Sequence, residues 1–332
     1  MRSLSCTPRS LDAALALGPS LLAHAEEDQT PWITASLVTG PAILLGAVQR
    51  AGRVVDLAAC AAARTPVLRR ATTGTAAYLP ATALLWTLAL PHQGTLVPDT
   101  TPATLLNRNV RPFLKGFARA GFAAHYFGRE WIAIGHSPTA LLGFDVAQSG
   151  AVLIEVIAGY DGDIMIPVAL AAPEEQHIAR WRGKTPVSLL EIHPRAAAPL
   201  ELARAVVAGV AERARRVLEP RDLPDREGRA DCAVADGRDP IPPGLAAVAL
   251  VRCPIGWLDV ALAPAEDGAA WVGGDLLAPR HALRAAAGMA CGATRVDLDQ
   301  APIEGSRWPD VIAALEEARA ARLRAASAPQ SL

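Results

Sequence analysis

The chain has 332 residues, 51% of them hydrophobic and 20% charged, with 32 basic against 33 acidic side chains. That apolar fraction excludes a disordered chain, and the balanced charge excludes the concentrated positive field that a nucleic-acid wrap or an anionic membrane surface needs. The length suits one large domain plus a smaller one. Only Lys115 and Lys184 are lysine, so a mechanism requiring an ammonium has two candidates.

Residues 10–30 predict a helix whose apolar run is too interrupted for a membrane span or a leader. Segments 31–37 and 41–49 read as short strands. The second ends near Gly46 in a polar turn at Gln49–Gly52, with a helix from about 54 to 64 after it. PVLRR (66–70) is a strand running into the Thr/Gly turn of ATTGTAAYL, and ALLWTLAL (83–90) is a buried strand. Beyond the Pro/Thr-rich loop 91–103, three- and four-residue apolar spacing predicts a helix through ATLLNRNVRPFLKGFARAG, kinked or broken at Pro112. HYFGREWIAIG (125–135) and AVLIEVIA (151–158) read as strands, with His136 in a loop before Ser137-Pro138.

A short helix at 172–181 and a longer amphipathic one at 199–217 follow. The stretch 218–243, rich in Pro, Gly and Asp, reads as a linker. Two strands, a turn, a further strand and a helix come next, then a last helix at 308–325 and a frayed tail. The expected organisation is a first domain over 1–217, the linker, and a small α+β accessory domain over 244–332. The expected fold class is α+β, a mixed, largely antiparallel sheet flanked by helices.

Cys6, Cys60, Cys232, Cys253 and Cys291 are scattered and never form a CxxC, so neither a disulfide framework nor a zinc site is expected. The compartment expected from this is the cytoplasm. His24, His177, His193 and His281 have no companions at metal-ligand spacing, and Cys60 reads as a small core residue.

Arg69 and Arg70 sit at a strand end, where a guanidinium fork can hold a carboxylate or phosphate. Thr72, Thr73, Gly74 and Thr75 read either as a hydroxyl-and-amide anion cradle or as a plain turn. His136 is a protonatable group or a turn residue. Asp145, if buried, requires a partner, for which Arg70 and Arg129 are the candidates. Glu155 interrupts an apolar strand, and Asp275 is expected to end a strand and cap the following helix.

Four motifs in order resemble the catalytic domain of lipoate-protein ligases and the related biotin ligases. They are Gly46 to Arg50 in ILLGAVQRAG, Arg69-Arg70-Ala71-Thr72-Thr73-Gly74-Thr75-Ala76, Phe127-Gly128-Arg129-Glu130-Trp131-Ile132 with Leu142-Gly143, and Gly183-Lys184 to Val187. Gly274-Asp275-Leu276-Leu277 and the helix ending near Gly292 resemble the accessory domain of those ligases. The resemblance implies ATP as cofactor and a small-molecule carboxylate or its activated form as partner. The chemistry it implies needs backbone N–H groups near phosphate, a cation for the acyl phosphate and an apolar slot.

The sequence departs from the pattern where the family's triple glycine falls on Thr73-Gly74-Thr75, its catalytic lysine on Ala140 and its His-Gly-Thr on Ser149-Gly150-Ala151. Three readings follow. One is an acyl- or adenylate-handling transferase using Arg70, His136 and Asp145, with Arg69, Thr72, Thr73, Gly74, Thr75, Arg129 and Lys184 holding the cofactor. Another is a non-catalytic binding or complex-forming subunit with a protein partner. A third, generic reading is an α/β chain whose alternating short elements match by accident.

Overall fold

The computed structural model describes residues 1–176, 180–222, 239–253, 256–263, 269–291, 293, 296–298, 301–304 and 306–327. The chain starts with two short strands, β1 (Arg2–Ser3) and β2 (Thr7–Pro8), and helix α1 (Leu11–Asp28), which Ser10 caps by accepting from the Ala13 amide. Strands β3 (Trp32–Thr39) and β4 (Ala42–Leu45) follow. The helix expected at 54–64 is two pieces, α2 (Ala51–Val54) and α3 (Leu57–Ala62). Asp56 divides them because its carboxylate accepts from the Ala58 and Ala59 amides and starts the second helix.

Next come β5 (Val67–Arg69), β6 (Ala77–Leu79), β7 (Thr82–Leu90) and α4 (Leu105–Arg119). Pro112 lies inside α4 without breaking it. The buried face of that helix offsets the roughly 3 kcal/mol that an interior proline costs. The segment 124–159 contains β8 (Ala124–Tyr126), β9 (Trp131–Ile134), β10 (Ser137–Val146) and β11 (Val152–Gly159). β10 is a ten-residue strand, although Ser137-Pro138 suggests a loop. A register shift between Pro138 and Ala140 accommodates the proline.

Short helices α5 (Pro173–Gln176) and α6 (Leu189–Ile192), helix α7 (Pro199–Arg213) and β12 (Glu219–Pro220) complete this part. The C-terminal part is β13 (Ala246–Cys253), β14 (Gly256–Leu262), β15 (Ala270–Gly274), α8 (Arg280–Ala290) and α9 (Trp308–Ser327). Of the expected linker, residues 223–238 lie outside the described residues, as do His177, Cys232, Gly292 and the last five residues.

The main sheet runs β12-β1-β3-β7-β11-β10-β9-β8, with β2 also on β3. Pairing is parallel at the β12, β1, β2 and β3 end and antiparallel elsewhere. This is the mixed, largely antiparallel α+β sheet that the sequence predicts. A second sheet, β5-β4-β6, lies beside it, and β13-β14-β15 forms a third.

Strand alternation sorts the main sheet into two faces. Leu84, Trp86, Leu88, Ile154 and Val156 face the core made with Val110, Phe113 and Phe117 of α4 and Leu202 and Val206 of α7. Leu85, Leu141 and Ile157 face Leu15 of α1 and Leu44, Leu68 and Leu79 of the second sheet. The register places Gly143, Glu155, Thr87 and Thr34 directly opposite one another across four strands, a polar row through an apolar sheet. That row underlies the candidate site.

The C-terminal part has its own core around Val260, Val272, Leu283 and Leu315, to which Ala47 and Val48 contribute. Leu277 in turn belongs to the core beneath α4 and α7. Each part therefore reaches into the other's interior.

α4 and α7 touch backbone to backbone. A Cβ on Gly116 would stand 2.5 Å from the Val206 carbonyl oxygen, and one on Gly209 would stand 2.5 Å from the Gly116 Cα. Gly209→Val should therefore destabilise the fold by about 2 kcal/mol or more through overpacking. Chemical denaturation read by far-UV circular dichroism checks this, with Gly52→Ala, which meets nothing within 4 Å, as the control.

Candidate functional site

The site begins where β4 and β5, paired in parallel, end side by side in two loops. After β4 the chain turns through Gly46–Gln49. The Gln49 side chain accepts from the Gly46 amide at 2.7 Å, and Arg69 donates to the carbonyls of Gly46 at 2.9 Å and Gln49 at 2.6 Å. Arg69 thus clamps the turn through Nη1, while its Nη2 is buried without a partner among the described residues. Burial lowers its pKa from the ordinary arginine value. Gly46 is required here, because a Cβ would fall 2.0 Å from the Gly74 carbonyl oxygen.

Arg70 is buried, with 1% exposure. Its Nη2 donates to the carbonyls of Thr73 at 3.2 Å and Thr75 at 2.9 Å, so the loop folds around its own arginine. Burial pushes its pKa down to about 10, partly offset by the Glu155 charge, so it stays a cation at neutral pH. Glu155 lies beneath and accepts from the Thr72 hydroxyl; its pKa is raised by burial against the opposing pull of Arg70 and Thr72. The Thr75 hydroxyl is buried as well.

The C-terminal part closes this cradle. The Thr73 hydroxyl oxygen lies 2.8 Å from the Phe144 carbonyl and 2.9 Å from that of Ala278, and it accepts from the Ala278 amide. Gly74, at φ +110°, leaves room only for Leu277: a Cβ would meet Leu277 Cδ2, Leu142 O and Arg70 Nη2, each at 2.9 Å. Asp145 accepts from the backbone N–H of Arg280 at 2.9 Å and from its Nε at 2.5 Å. Its partner is therefore Arg280, at the start of α8, not Arg70 or Arg129.

A buried ion network ties the same parts together. Asp275 accepts from Gln49 Nε2 at 2.5 Å and from the Trp257 amide at 2.7 Å, with Arg180 Nη2 at 3.4 Å. It does not cap α8, which Pro279 precedes and whose first amide goes to Asp145. Arg180 also forms a two-pronged pair with Glu175 at 2.9 and 2.7 Å. Burial opposes the Arg180 charge, but Asp275 and Glu175 outweigh it and its pKa is raised. Arg50 bridges Asp239 at 2.9 Å and Asp259 at 3.3 Å. Arg180 and Glu175 were legible only as two residues of APEEQHIARW; a buried arginine calls for carboxylates, but the sequence does not say which arginine is buried.

Three expected site residues stand elsewhere. His136 is exposed in the two-residue turn between β9 and β10, after Gly135 at φ +60°. It lies roughly 20 Å along the strand from Gly143, which abuts Arg70. Arg129 pairs with Glu130 at 2.9 and 3.0 Å and covers the Trp131 ring. Lys184 is exposed, 5.9 Å from the centre of the exposed Phe127 ring. Ala140 shares the face of Leu142 and Phe144 in the α4/α7 core, so a side chain at 140 points away from Arg70. Lys115 pairs with Glu212 on the other side of that core.

Of the expected set, the structure gathers Arg69, Arg70, Thr72, Thr73, Gly74, Thr75 and Asp145. It does not bring His136, Arg129 or Lys184 to them. In this cradle Nη2 of Arg70 faces the loop's own carbonyls, Nε and Nη1 are buried without a partner among the described residues, and Leu277 packs against Gly74. Among the described residues no group of three or more His, Cys, Asp and Glu is placed to hold a metal ion, and no helix is long and apolar enough to cross a membrane.

No family model matches the chain, and no curated protein matches it. Solved structures do. LipL1 of P. falciparum in complex with lipoate aligns with a TM-score of 0.58 at 13% identity, over 82% of this chain and 84% of that one. A bi-partite lipoate protein ligase from Thermoplasma acidophilum aligns with a TM-score of 0.55 at 16% identity, over 68% of this chain and 87% of that one. Lipoate-protein ligase A bound with ATP gives 0.53 at 14%, over 68% and 90%. The chain shares the fold of these lipoate ligases.

Two outcomes follow from the geometry. Asp275→Ala leaves Arg180 and Gln49 without their shared acceptor and should cost about 3–5 kcal/mol in urea unfolding. Burial, with Glu130 beside it, raises Glu304 from the ordinary 4.5 to about 7, so the folded chain keeps a proton there that the unfolded chain releases. Stability from this group therefore falls as pH rises from 4.5 to about 7. Glu304→Gln should flatten that part of the profile, read as thermal midpoints across the same pH range.

Proposed function

We propose that the chain is a non-catalytic member of the lipoate-ligase fold that acts by binding a small molecule or a protein partner, and that it does not carry out ATP-dependent acyl transfer. The observation that supports this most is the state of Arg70. The guanidinium that would meet a phosphate is buried, turned onto the carbonyls of Thr73 and Thr75 and balanced by Glu155. Nη2, engaged by the chain's own backbone, cannot also hold a phosphate without unmaking those bonds, and Nε and Nη1, which have no partner among the described residues, are buried.

The lysines point the same way. The acyl phosphate needs a compact cation beside the reacting carboxyl. Lys115 is held by Glu212, and Lys184 lies exposed against Phe127. His136, the substitute that the sequence offers, sits at a hairpin tip far from Arg70. The closure by Leu277, Ala278 and Arg280 supports a protein whose two parts work as one packed body.

The test is incubation with ATP and a panel of carboxylic acids, following pyrophosphate release, with native mass spectrometry of the protein as purified. No release above the protein-free rate is expected. Retained ligand or a stable partner in the mass spectrum would identify what is bound. Turnover that disappears on Arg70→Gln would overturn the reading in favour of a transferase.

A further inference from the structure

A cavity of about 480 Å³ opens between α8, β15, the turn at Ala47–Val48 and the segment around Pro240. Its volume lies within the roughly 300–1,000 Å³ of small-molecule sites, which favour such junctions between packed units. None of the cradle residues from Arg70 to Thr75 lines it, although Arg280, which bonds Asp145, and the turn at Ala47–Val48 border both it and the site described above.

Its chemistry is divided. Arg280, Leu283 and Arg284 come from one face of α8, at the three- and four-residue spacing that brings helical side chains together. Trp271, Val48 and Pro240 continue an apolar lining. No Asp or Glu occurs among the described lining residues. Among the described residues the acid paired with either arginine is Asp145, which takes Nε of Arg280, and Glu155 lies near enough to feel the Arg280 charge. Arg284 gives its Nε to the Arg280 carbonyl at 3.4 Å, and no carboxylate among the described residues pairs with it. Among the described residues, then, Arg280 is paired with Asp145, and the Arg284 guanidinium stands beside the apolar hollow without a carboxylate partner.

We propose that this cavity binds a small amphipathic anion, with its apolar body against Trp271 and Leu283 and its carboxylate on the guanidinium of Arg284. Arg280 adds positive charge while remaining on Asp145. A planar guanidinium takes a carboxylate through two parallel N–H···O bonds, and a ring such as Trp271 gives an alkyl or aryl body a large contact area. The inference stands on the cavity's own lining. It requires no nucleotide, so its failure is a separate result from pyrophosphate release at the Arg70 site.

The experiment is calorimetric titration of the full chain with decanoate, without nucleotide, and with decyltrimethylammonium as the cationic counterpart. Saturable one-to-one binding of decanoate and none of the cation are expected. Arg284→Glu, at an exposed position, should weaken binding about tenfold or more, since it removes a charge-assisted bond. Leu283→Trp should abolish binding by filling the hollow. Because Leu283 is buried, that variant counts only with an unchanged thermal midpoint; if the midpoint shifts, Arg284→Glu alone decides. No decanoate binding, equal binding of the cation, or equal decanoate affinity in parent and Arg284→Glu would each overturn the assignment.

Discussion

The Asp275 carboxylate is the point on which the arrangement of the two parts turns. At 3% exposure it accepts from Gln49, from the Trp257 amide and from Arg180. These donors come from the turn after β4, the start of β14 and the segment after α5. A buried carboxylate is costly unless its lone pairs are filled, and here three elements fill them at once. The net stabilisation is modest, because the charges also lose hydration. What the network supplies is specificity: Gln49 can bond both the Gly46 amide and Asp275 only with the turn in this shape and β15 in this position.

With that junction fixed, the rest of the site is constrained. Gly274 donates to the Val48 carbonyl at 2.8 Å, the chain after β15 passes over the loop 73–75, and Leu277 lands on Gly74. The Thr73 hydroxyl then finds Ala278, and Asp145 finds the first amide of α8. The loop 73–75 is an interior seam, with Thr73 and Thr75 buried. Its carbonyls, rather than its amides, meet Arg70, and the countercharge comes from Glu155 in the sheet below. Nη2 of this buried cation finds its acceptors in the loop, while Nε and Nη1 have no partner among the described residues.

The polar row Gly143, Glu155, Thr87 and Thr34 shows how register makes a site that no single motif announces. Each residue lies in a different strand. In the sequence, Glu155 stands out as one charge in an apolar run, whereas Thr87 and Thr34 are ordinary members of strands that favour threonine. Pairing in register aligns them, and Arg70 then lies over a polar floor instead of a hydrocarbon one.

Strand and helix identity, the mixed sheet with a smaller C-terminal unit and the loop at Arg69–Thr75 were legible in the sequence, because alternation, helical spacing and turn residues are local properties. The division of α2 from α3 was written in Asp56 as a cap. β10 was hidden because its proline sits at a register shift that only the partner strand defines. The site was half legible. Arg70, the threonines and Asp145 were identifiable as residues that need partners, but which partners they take was decided by tertiary structure alone. Asp145 meets Arg280 across 135 residues and Gln49 meets Asp275 across 226. His136 and Lys184 look near the site in sequence, yet a ten-residue strand carries His136 away from Arg70, and Lys184 remains at the exposed surface. Composition sets which charges exist; only the packed chain sets which of them are satisfied, because satisfaction of a buried charge is a matter of distance in space.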